Sequence, residues 1–387
     1  MNPVTLANWQ DPPHNRWAFQ HVRELIPTAR ISRGLGHPRR LPRSDQELER
    51  LAFSYRERKL TIDQWLANSF TDGFLVLHQG RVIAEQYRNQ LTPDAPHLLM
   101  SVSKSVTSTI AGILAGGGVL DVGSPVEALA PELAGTSFAG ATVQHLLDMR
   151  TGTRFSEDYD DPLAEVRTYQ PVYLWRPRGD RDNLPGDAIS YFGTLVNDGP
   201  HGGPFRYRSV LPDVLALVIE WAAGARLSEL IGRELWQPMG AEFDAEITVD
   251  ARGNPMADGG ISATLRDLGR FGQLFCDRGQ SGYRQVVPGA WIDDTIAGAA
   301  DGLGRYELAD PDPDAVGAAH YRNCWWVRDP GLPLFYASGI HGQHIFVHGP
   351  AQVVVVKLST WPTPLSADLL GQTVAAVRAI ADEFAGS

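Results

Sequence analysis

The chain contains few cysteines and no excess of positive charge. Its two cysteines, Cys276 and Cys324, lie far apart and lack the close spacing of a zinc or redox motif. We therefore expect a reduced compartment and no disulfide framework, although two cysteines could in principle pair. Acidic residues outnumber Lys and Arg by 45 to 34, which gives a formal net charge of −11, and no basic run is present. This balance argues against nucleic acid and anionic membranes as partners.

Long apolar segments are also missing. No stretch reaches the ~18 apolar residues that a membrane span requires, and residues 1–5 lack the basic and apolar regions of a secretory signal. We predict a cytoplasmic protein that acts on a small molecule and needs no cofactor. His341, His344 and His348 could suggest a metal, but on a strand His341 and His344 face opposite sides. No acidic or cysteine partner completes such a site, so we predict none.

Lysine is scarce, because Lys59, Lys104 and Lys357 are the three lysines among 34 basic residues. Lys104 follows Ser101 by three residues, at the start of an apolar pattern with helical spacing that ends at Gly116–Gly118. Residues three apart on a helix are neighbours, so the two side chains can meet. A serine nucleophile needs an adjacent base, and lysine serves if burial or the positive end of a helix destabilises its ammonium. Alternatively, Ser101 could merely cap the helix.

The order of the predicted elements indicates an α/β domain that is interrupted by a helical region. Strand patterns occur toward both ends of the sequence, and helices lie between them. We predict one α/β (α+β) domain from residues 1–122 and 246–387, with a mostly helical insertion domain at 123–245. In chain order, the main predicted elements are a helix at 45–70, a hairpin at 73–87, helices at 212–223 and 265–276, strands at 324–327, 334–347 and 352–358, and a helix at 365–384.

Three motifs resemble those of the serine β-lactamases and penicillin-recognising enzymes. The first is Ser101–Lys104, and a tyrosine-centred second motif, Phe205–Ser209, comes roughly a hundred residues later. Tyr321-x-Asn323 is a rival second motif, but it comes late and precedes a strand. Ala337–Gln343 matches the small residues of the third motif, Lys-Thr-Gly, and lacks its lysine. The resemblance implies the fold of that superfamily, an antiparallel sheet flanked by helices plus a mostly helical domain.

The sequence is more similar to the 6-aminohexanoate-dimer hydrolases, which are nylon-oligomer hydrolases with esterase activity. The likeness covers most of the chain in one order. It runs through Trp9–Trp17, Leu98–Ser105, Glu157–Tyr159, Gly339–Gln343 and Lys357–Pro362.

This resemblance implies roles for four catalytic residues. Ser101 would attack an acyl carbon, while Lys104 and Tyr207 share its proton and Tyr207 passes it to the leaving group. A nearby Lys⁺ is expected to lower the pKa of the tyrosine. The backbone N–H groups of Ser101 and Ile340 would form the oxyanion hole.

The same resemblance implies five substrate-binding residues. Tyr159 matches a tyrosine that lies over the site, and Trp175 falls where the family has a mobile loop tryptophan. Gln170 occupies the position of an acidic residue thought to pair with the ammonium end of the amide substrate. Asp258 precedes the paired glycines, and His341 follows Ile340.

We therefore predict a serine hydrolase that forms an acyl-enzyme. It should cleave short-chain carboxylic esters, with linear amides such as 6-aminohexanoate oligomers as a second candidate class of substrate. The resemblance also implies a homodimer. One alternative is a catalytically weak binding or sensor protein on the same scaffold. The other is a β-lactamase or DD-peptidase, which the missing third-motif lysine disfavours, because Ala337 cannot hold a substrate carboxylate.

Overall fold

The computed structural model describes residues 3–158, 161, 163–179, 183–305, 319–329 and 334–385. The strands of this part are β1 (Thr28–Ile31), β2 (Ala52–Tyr55), β3 (Arg58–Thr61), β4 (Thr71–His78), β5 (Arg81–Tyr87), β6 (His97–Leu98), β7 (Ala245–Thr248), β8 (Ile261–Ala263), β9 (Gln280–Ser281), β10 (Arg284–Gln285), β11 (His320–Arg322), β12 (Trp325–Asp329), β13 (Leu334–Gly339), β14 (Gln343–His348) and β15 (Val353–Ser359).

The α-helices of the same part are α1 (Asn15–Ala18), α2 (Ile62–Asn68), α3 (Val102–Gly116), α4 (Val126–Leu129), α5 (Val143–Leu147), α6 (Glu165–Tyr169), α7 (Ala188–Phe192), α8 (Val210–Ala223), α9 (Leu227–Leu230), α10 (Gln237–Met239), α11 (Leu265–Cys276), α12 (Gly289–Ala297) and α13 (Ala367–Phe384). Short 3₁₀ turns occur at Val22–Glu24, Leu48–Arg50 and Pro131–Leu133, and a π-helical turn joins α9 to α10.

A seven-stranded antiparallel sheet forms the centre of the molecule, in the order β11-β12-β13-β14-β15-β4-β5. The early hairpin β4–β5 pairs with the late strand β15, so this sheet joins the two ends of the chain. Strand β15 is buried along its whole length, and its side chains alternate between two hydrophobic cores. Val354, Val356 and Leu358 belong to the core that includes residues of α3 and α11, whereas Val353 and Val355 belong to the core beneath α2 and α13. The predicted mixed α/β architecture is therefore confirmed.

A second, four-stranded sheet leads the chain to the nucleophile candidate. Its order is β1-β7-β8-β6. Strand β6 ends two residues before Met100, and Ser101 then precedes the first residue of α3. Helix α3 packs against α8 on one side and β13 on the other. This packing brings the start of α3 to the end of β13.

Two predicted elements differ from the structure. The single strand expected over 334–347 is the antiparallel pair β13–β14, with a turn between Gly339 and Gln343. Residues 45–70 were expected to form a helix, but they form a 3₁₀ turn, the hairpin β2–β3 and only then the short helix α2. In β2 the side chains alternate, with Phe53 and Tyr55 buried and their neighbours exposed. The leucines that suggested a helical period are spread over the 3₁₀ turn (Leu48), β3 (Leu60) and α2 (Leu66).

Both cysteines are buried and unbridged. Among the described helices, none combines the length and apolar character that crossing a bilayer would demand.

Candidate active site

Ser101 lies at a sharp turn between strand and helix. Met100 has a positive φ of 47°, in the left-handed region that side chains seldom adopt, and Ser101 then enters the helical region at the start of α3. Lys104 is one turn further on, and its Nζ lies 2.9 Å from Ser101 Oγ. Ser101 makes no side-chain capping hydrogen bond to α3. The hydroxyl is thus directed to the lysine and not to the helix end.

Lys104 is buried among negatively charged groups. Its Nζ also donates to the main-chain oxygen of Asp258 (2.8 Å), and Asp258 Oδ2 is 3.6 Å away. Burial by itself lowers the pKa of Lys104. Tyr207 and the carboxylates of Asp258, Glu157 and Asp213 outweigh that effect, so the pKa of Lys104 is raised above its usual value. Burial thus acts in the expected direction, but the neighbouring negative charges oppose it and the net shift is upward.

Asp213 and Asp258 form a buried acidic pair behind the lysine. Asp213, on α8, accepts hydrogen bonds from the Tyr169 hydroxyl (2.6 Å) and from the Asp258 N–H (3.0 Å). Burial raises the pKa of both carboxyls, and for Asp213 the charge of Asp258 adds to the rise. The pair therefore binds a proton more readily than isolated carboxyls do. Asp213 was not predicted as a site residue, although a single carboxylate in an otherwise apolar stretch of helix was a usable signal.

Tyr207 faces Lys104 from the segment that precedes α8. Its ring stacks on Trp326 at 5.7 Å, and Lys104 Nζ lies 5.2 Å from the ring centroid. Burial raises the pKa of Tyr207, while Lys104 opposes the rise and Glu157 reinforces it. The lysine thus acts in the expected direction, but the net shift is upward. The rival Tyr321 packs edge-on against Tyr207 and is itself buried in the core.

Strand β13 passes close to the nucleophile turn. A Cβ added to Gly339, the last residue of β13, would lie 2.5 Å from Leu99 O and 3.0 Å from the Ser101 nitrogen. Only glycine allows the strand to approach the nucleophile turn this closely. Neither the Ser101 N–H nor the N–H of the next strand residue, Ile340, donates a hydrogen bond to any residue in the described ranges. The two groups are free to bind an oxygen from a substrate.

Three adjoining spaces open around Ile340. What we call the aromatic cleft has a volume of about 320 Å³, and its wall includes Ser101, Tyr207 and Trp326. The outer cleft has about 520 Å³ and a charged wall. The inner cavity has only about 30 Å³ and lies beside Ser101. The charged side chains of the outer cleft are Asp11, Glu157, Asp158, Arg167 and Arg176.

The predicted substrate-binding residues differ in how they are placed. Gln170 is 6% exposed, lines both the outer cleft and the inner cavity, and its Oε1 has no hydrogen-bond partner among the described residues. Asp258 also lines the inner cavity, in addition to its contacts with Lys104. Tyr159 lies outside the described residues.

Trp175 and His341 are tied to the protein at the edge of the site. The Trp175 indole N–H donates to Thr248 Oγ1 (3.1 Å), and the ring packs on Trp9 at 5.1 Å while lining the inner cavity. His341 Nδ1 lies 2.8 Å from the main-chain oxygen of Trp361, and the residue is buried beside the outer cleft. Burial lowers the pKa of His341. No group of three or more His, Cys, Asp or Glu within the described ranges is arranged to hold a metal ion.

Comparisons with known proteins agree with this architecture. The fold is that of the β-lactamases and penicillin-binding proteins, and the β-lactamase family model matches residues 69–379. The chain belongs to the β-lactamase family and is a hydrolase of that family.

One relative and two solved structures are informative. The 6-aminohexanoate-dimer hydrolase of Paenarthrobacter ureafaciens is 39% identical over 361 residues, which is 93% of this chain and 89% of the relative. A Bacillus anthracis structure provisionally named as a 6-aminohexanoate-dimer hydrolase has a TM-score of 0.89 and 26% identity, covering 99% of this chain and 97% of that one. The octameric penicillin-binding protein homologue of Pyrococcus abyssi shares the fold, with a TM-score of 0.60 at 17% identity over 82% of this chain and 74% of that one.

Proposed function

We propose that this protein is a serine hydrolase that cleaves short-chain carboxylic esters, and more slowly linear amides, through an acyl-enzyme on Ser101. The observation that carries the proposal is the 2.9 Å contact between Lys104 Nζ and Ser101 Oγ. Ser101, Tyr207 and Ile340 line the same cleft, and the backbone N–H groups of Ser101 and Ile340 have no partner among the described residues. A base, a nucleophile and an oxyanion site are the parts that acyl transfer requires.

The charges around Lys104 support a division of roles within the Lys104–Tyr207 pair. If the pair lacks one proton, Asp258 and its neighbours hold the remaining proton on Lys104, which leaves Tyr207 as the phenolate base. Ser101 Oγ then attacks the carbonyl carbon while its proton passes to Tyr207. The ammonium of Lys104 stabilises the phenolate and the serine oxygen as the proton moves.

The remaining steps are formation of the oxyanion, departure of the leaving group and deacylation. The carbonyl oxygen becomes an oxyanion and accepts hydrogen bonds from the N–H groups of Ser101 and Ile340. Tyr207 gives its proton to the leaving oxygen or nitrogen, and the carbonyl–leaving-group bond breaks. In deacylation a water molecule gives a proton to Tyr207 and attacks the acyl carbon, and the proton then returns to Ser101 Oγ as the acid is released.

The relative from Paenarthrobacter ureafaciens supports amide cleavage as a second activity. Gln170 is neutral, so we propose that the linear 6-aminohexanoate dimer is a poorer substrate than short esters. β-Lactamase and DD-peptidase activity should be weak, because Ala337 is buried on β13 and the described residues that line the aromatic cleft include no lysine or arginine.

Acylation of Ser101 is the direct test. The protein is incubated with p-nitrophenyl butyrate, the reaction is quenched within one turnover, and the protein is digested. The mass of the Ser101 peptide is then measured by mass spectrometry. We expect a butyryl adduct on Ser101 and an initial burst of nitrophenol. A protein that shows neither the adduct nor turnover would be the binding or sensor alternative.

A further inference from the structure

The aromatic cleft is the side of the site on which the leaving group of the proposed reaction would lie. Tyr207 lines this cleft and does not line the outer cleft or the inner cavity. The group that protonates the leaving atom must be within hydrogen-bond reach of it. The leaving group therefore occupies the aromatic cleft, and the acyl chain extends past Ile340 toward the outer cleft.

The wall of the aromatic cleft contains polar groups but no described cation. Trp326, Tyr336 and Trp361 provide aromatic surface, and the one carboxylate among the described lining residues is Glu157. Lys104 lies behind the wall and is already engaged by Ser101 Oγ and by Asp258, so the described lining offers no further lysine or arginine that could hold a negatively charged leaving group beside Glu157. The charges of the cleft thus disfavour an anion.

Ser338 and His344 place an uncharged hydrogen-bonding pair on this wall. Both line the cleft, and Ser338 Oγ lies 3.2 Å from His344 Nδ1 across the β13–β14 ladder, where the two residues are paired. His344 is 1% exposed, and its Nε2 has no hydrogen-bond partner among the described residues. Burial lowers the pKa of His344 to about 3, so the ring is neutral. The histidine ring is too buried to bind a ligand itself, so Ser338, the partly exposed member of the pair, is the group that a ligand in the cleft can reach.

The position of Ser338 sets how far from the scissile bond it acts. Ser338 immediately precedes Gly339, which packs directly against the Ser101 amide. Consecutive Cα atoms are about 3.8 Å apart, so a leaving group that starts at Ser101 meets the Ser338 hydroxyl after roughly two to four atoms.

We propose that Ser338, oriented by His344, binds an uncharged polar group close to the scissile bond in the leaving group. The preferred substrates are then esters or amides of short polar alcohols or amines, such as glycol monoesters, and not those whose leaving group carries a nearby carboxylate. This inference rests on the proposed function and names the substrate class of the same site.

Three butyrate esters of similar size test the proposal. The n-propyl and 2-hydroxyethyl esters have the same number of heavy atoms and differ by one hydroxyl, and the carboxymethyl ester carries the anion. We expect the wild type to prefer the 2-hydroxyethyl ester over the n-propyl ester by about 3- to 10-fold in kcat/KM, the range of one neutral hydrogen bond. The carboxymethyl ester should be the slowest.

Variants of Ser338 separate binding from the intrinsic reactivity of the esters. Ser338→Ala should reduce the ratio of the 2-hydroxyethyl to the n-propyl rate by about 3- to 10-fold, whereas Ser338→Thr keeps the hydroxyl and should retain the preference. Ser366→Ala is a matched control, because Ser366 is another hydroxyl of the cleft but caps α13 by accepting from the Leu369 N–H. It should leave the ratio unaltered.

The positioning role of His344 has its own readout. If His344 orients Ser338, His344→Leu should lower the ratio of the 2-hydroxyethyl to the n-propyl rate in the wild-type background and should not lower it further in Ser338→Ala. A merely structural defect would instead change the rates for both esters alike. If the wild type hydrolyses all three esters through Ser101 without preferring the hydroxyethyl ester, the inference about Ser338 is refuted and the proposed function stands. The same holds if Ser338→Ala retains the preference. Absence of any Ser101-dependent hydrolysis would instead refute the proposed function.

Discussion

Asp258→Asn should move the pH dependence of the reaction to lower pH. The carboxylate lies 3.6 Å from Lys104 Nζ, and the substitution removes its charge while keeping the main-chain oxygen that accepts from Lys104 at 2.8 Å. Loss of a negative neighbour makes the ammonium less favourable, so Lys104 loses its proton at a lower pH. The alkaline limb of kcat/KM should shift downward accordingly.

The size of the shift follows from the geometry. Two unit charges about 4 Å apart interact by about 4 kcal/mol at an effective dielectric constant of about 20, and about 1.4 kcal/mol corresponds to one pKa unit. The upper limit is therefore about 3 pKa units. Burial raises the pKa of Asp258, so the shift is smaller than this limit. We expect a shift of about 1 to 3 pH units.

The assay follows acid released from methyl butyrate by titration between pH 6 and 12, because the raised pKa of Lys104 places the wild-type alkaline limb above the usual range of a lysine, and the uncatalysed rate is subtracted at each pH. Asp94→Asn serves as the control, because Asp94 is an exposed carboxylate that accepts from the Thr92 hydroxyl at 2.6 Å. A folded Asp258→Asn protein whose profile superimposes on that of the wild type would show that Asp258 does not hold the charge of Lys104.

Three further predictions concern the proposed machinery. Ser101→Ala should abolish ester hydrolysis and leave the melting temperature nearly unchanged, because the hydroxyl caps no helix; turnover within tenfold of the wild type would contradict the assignment. Lys104→Ala and Tyr207→Phe should be strongly non-additive in kcat/KM, as for groups that act as a unit; effects that multiply would mean that Tyr207 only packs. Gln170→Asp should raise activity on the linear 6-aminohexanoate dimer more than on esters, since it places a carboxylate where an ammonium can bind; equal effects on both substrates would locate the ammonium elsewhere.

Local features of the fold and of the site could be predicted from the sequence. Ser101 and Lys104 meet because they are three residues apart on one helix, and this requires nothing from the rest of the chain. The hairpin β4–β5 and the helices α8, α11 and α13 likewise follow from hydrophobic period and turn residues. The helix expected over 45–70 is not formed, because Phe53 and Tyr55 are buried at alternate positions of a strand. The leucines nearby masked this alternation in the sequence.

The placement of the other predicted residues could be seen only in the folded chain. The ring of Trp175 packs on Trp9 and its indole N–H donates to Thr248, and both of these residues are distant in sequence. His341, expected to contact the substrate, lines the outer cleft, and its Nδ1 lies 2.8 Å from the main-chain oxygen of Trp361. Burial depends on which segments pack together, and a single sequence does not state that.

The sequence by itself determined the class of the protein, through the order and spacing of the motifs around Ser101, Lys104 and Tyr207. Tertiary structure decided the charge of Lys104, because the carboxylates that raise its pKa come from three separate segments, at Glu157, Asp213 and Asp258. The strength of an electrostatic interaction depends on distance and on the exclusion of water. Both are established only when those segments close around the lysine.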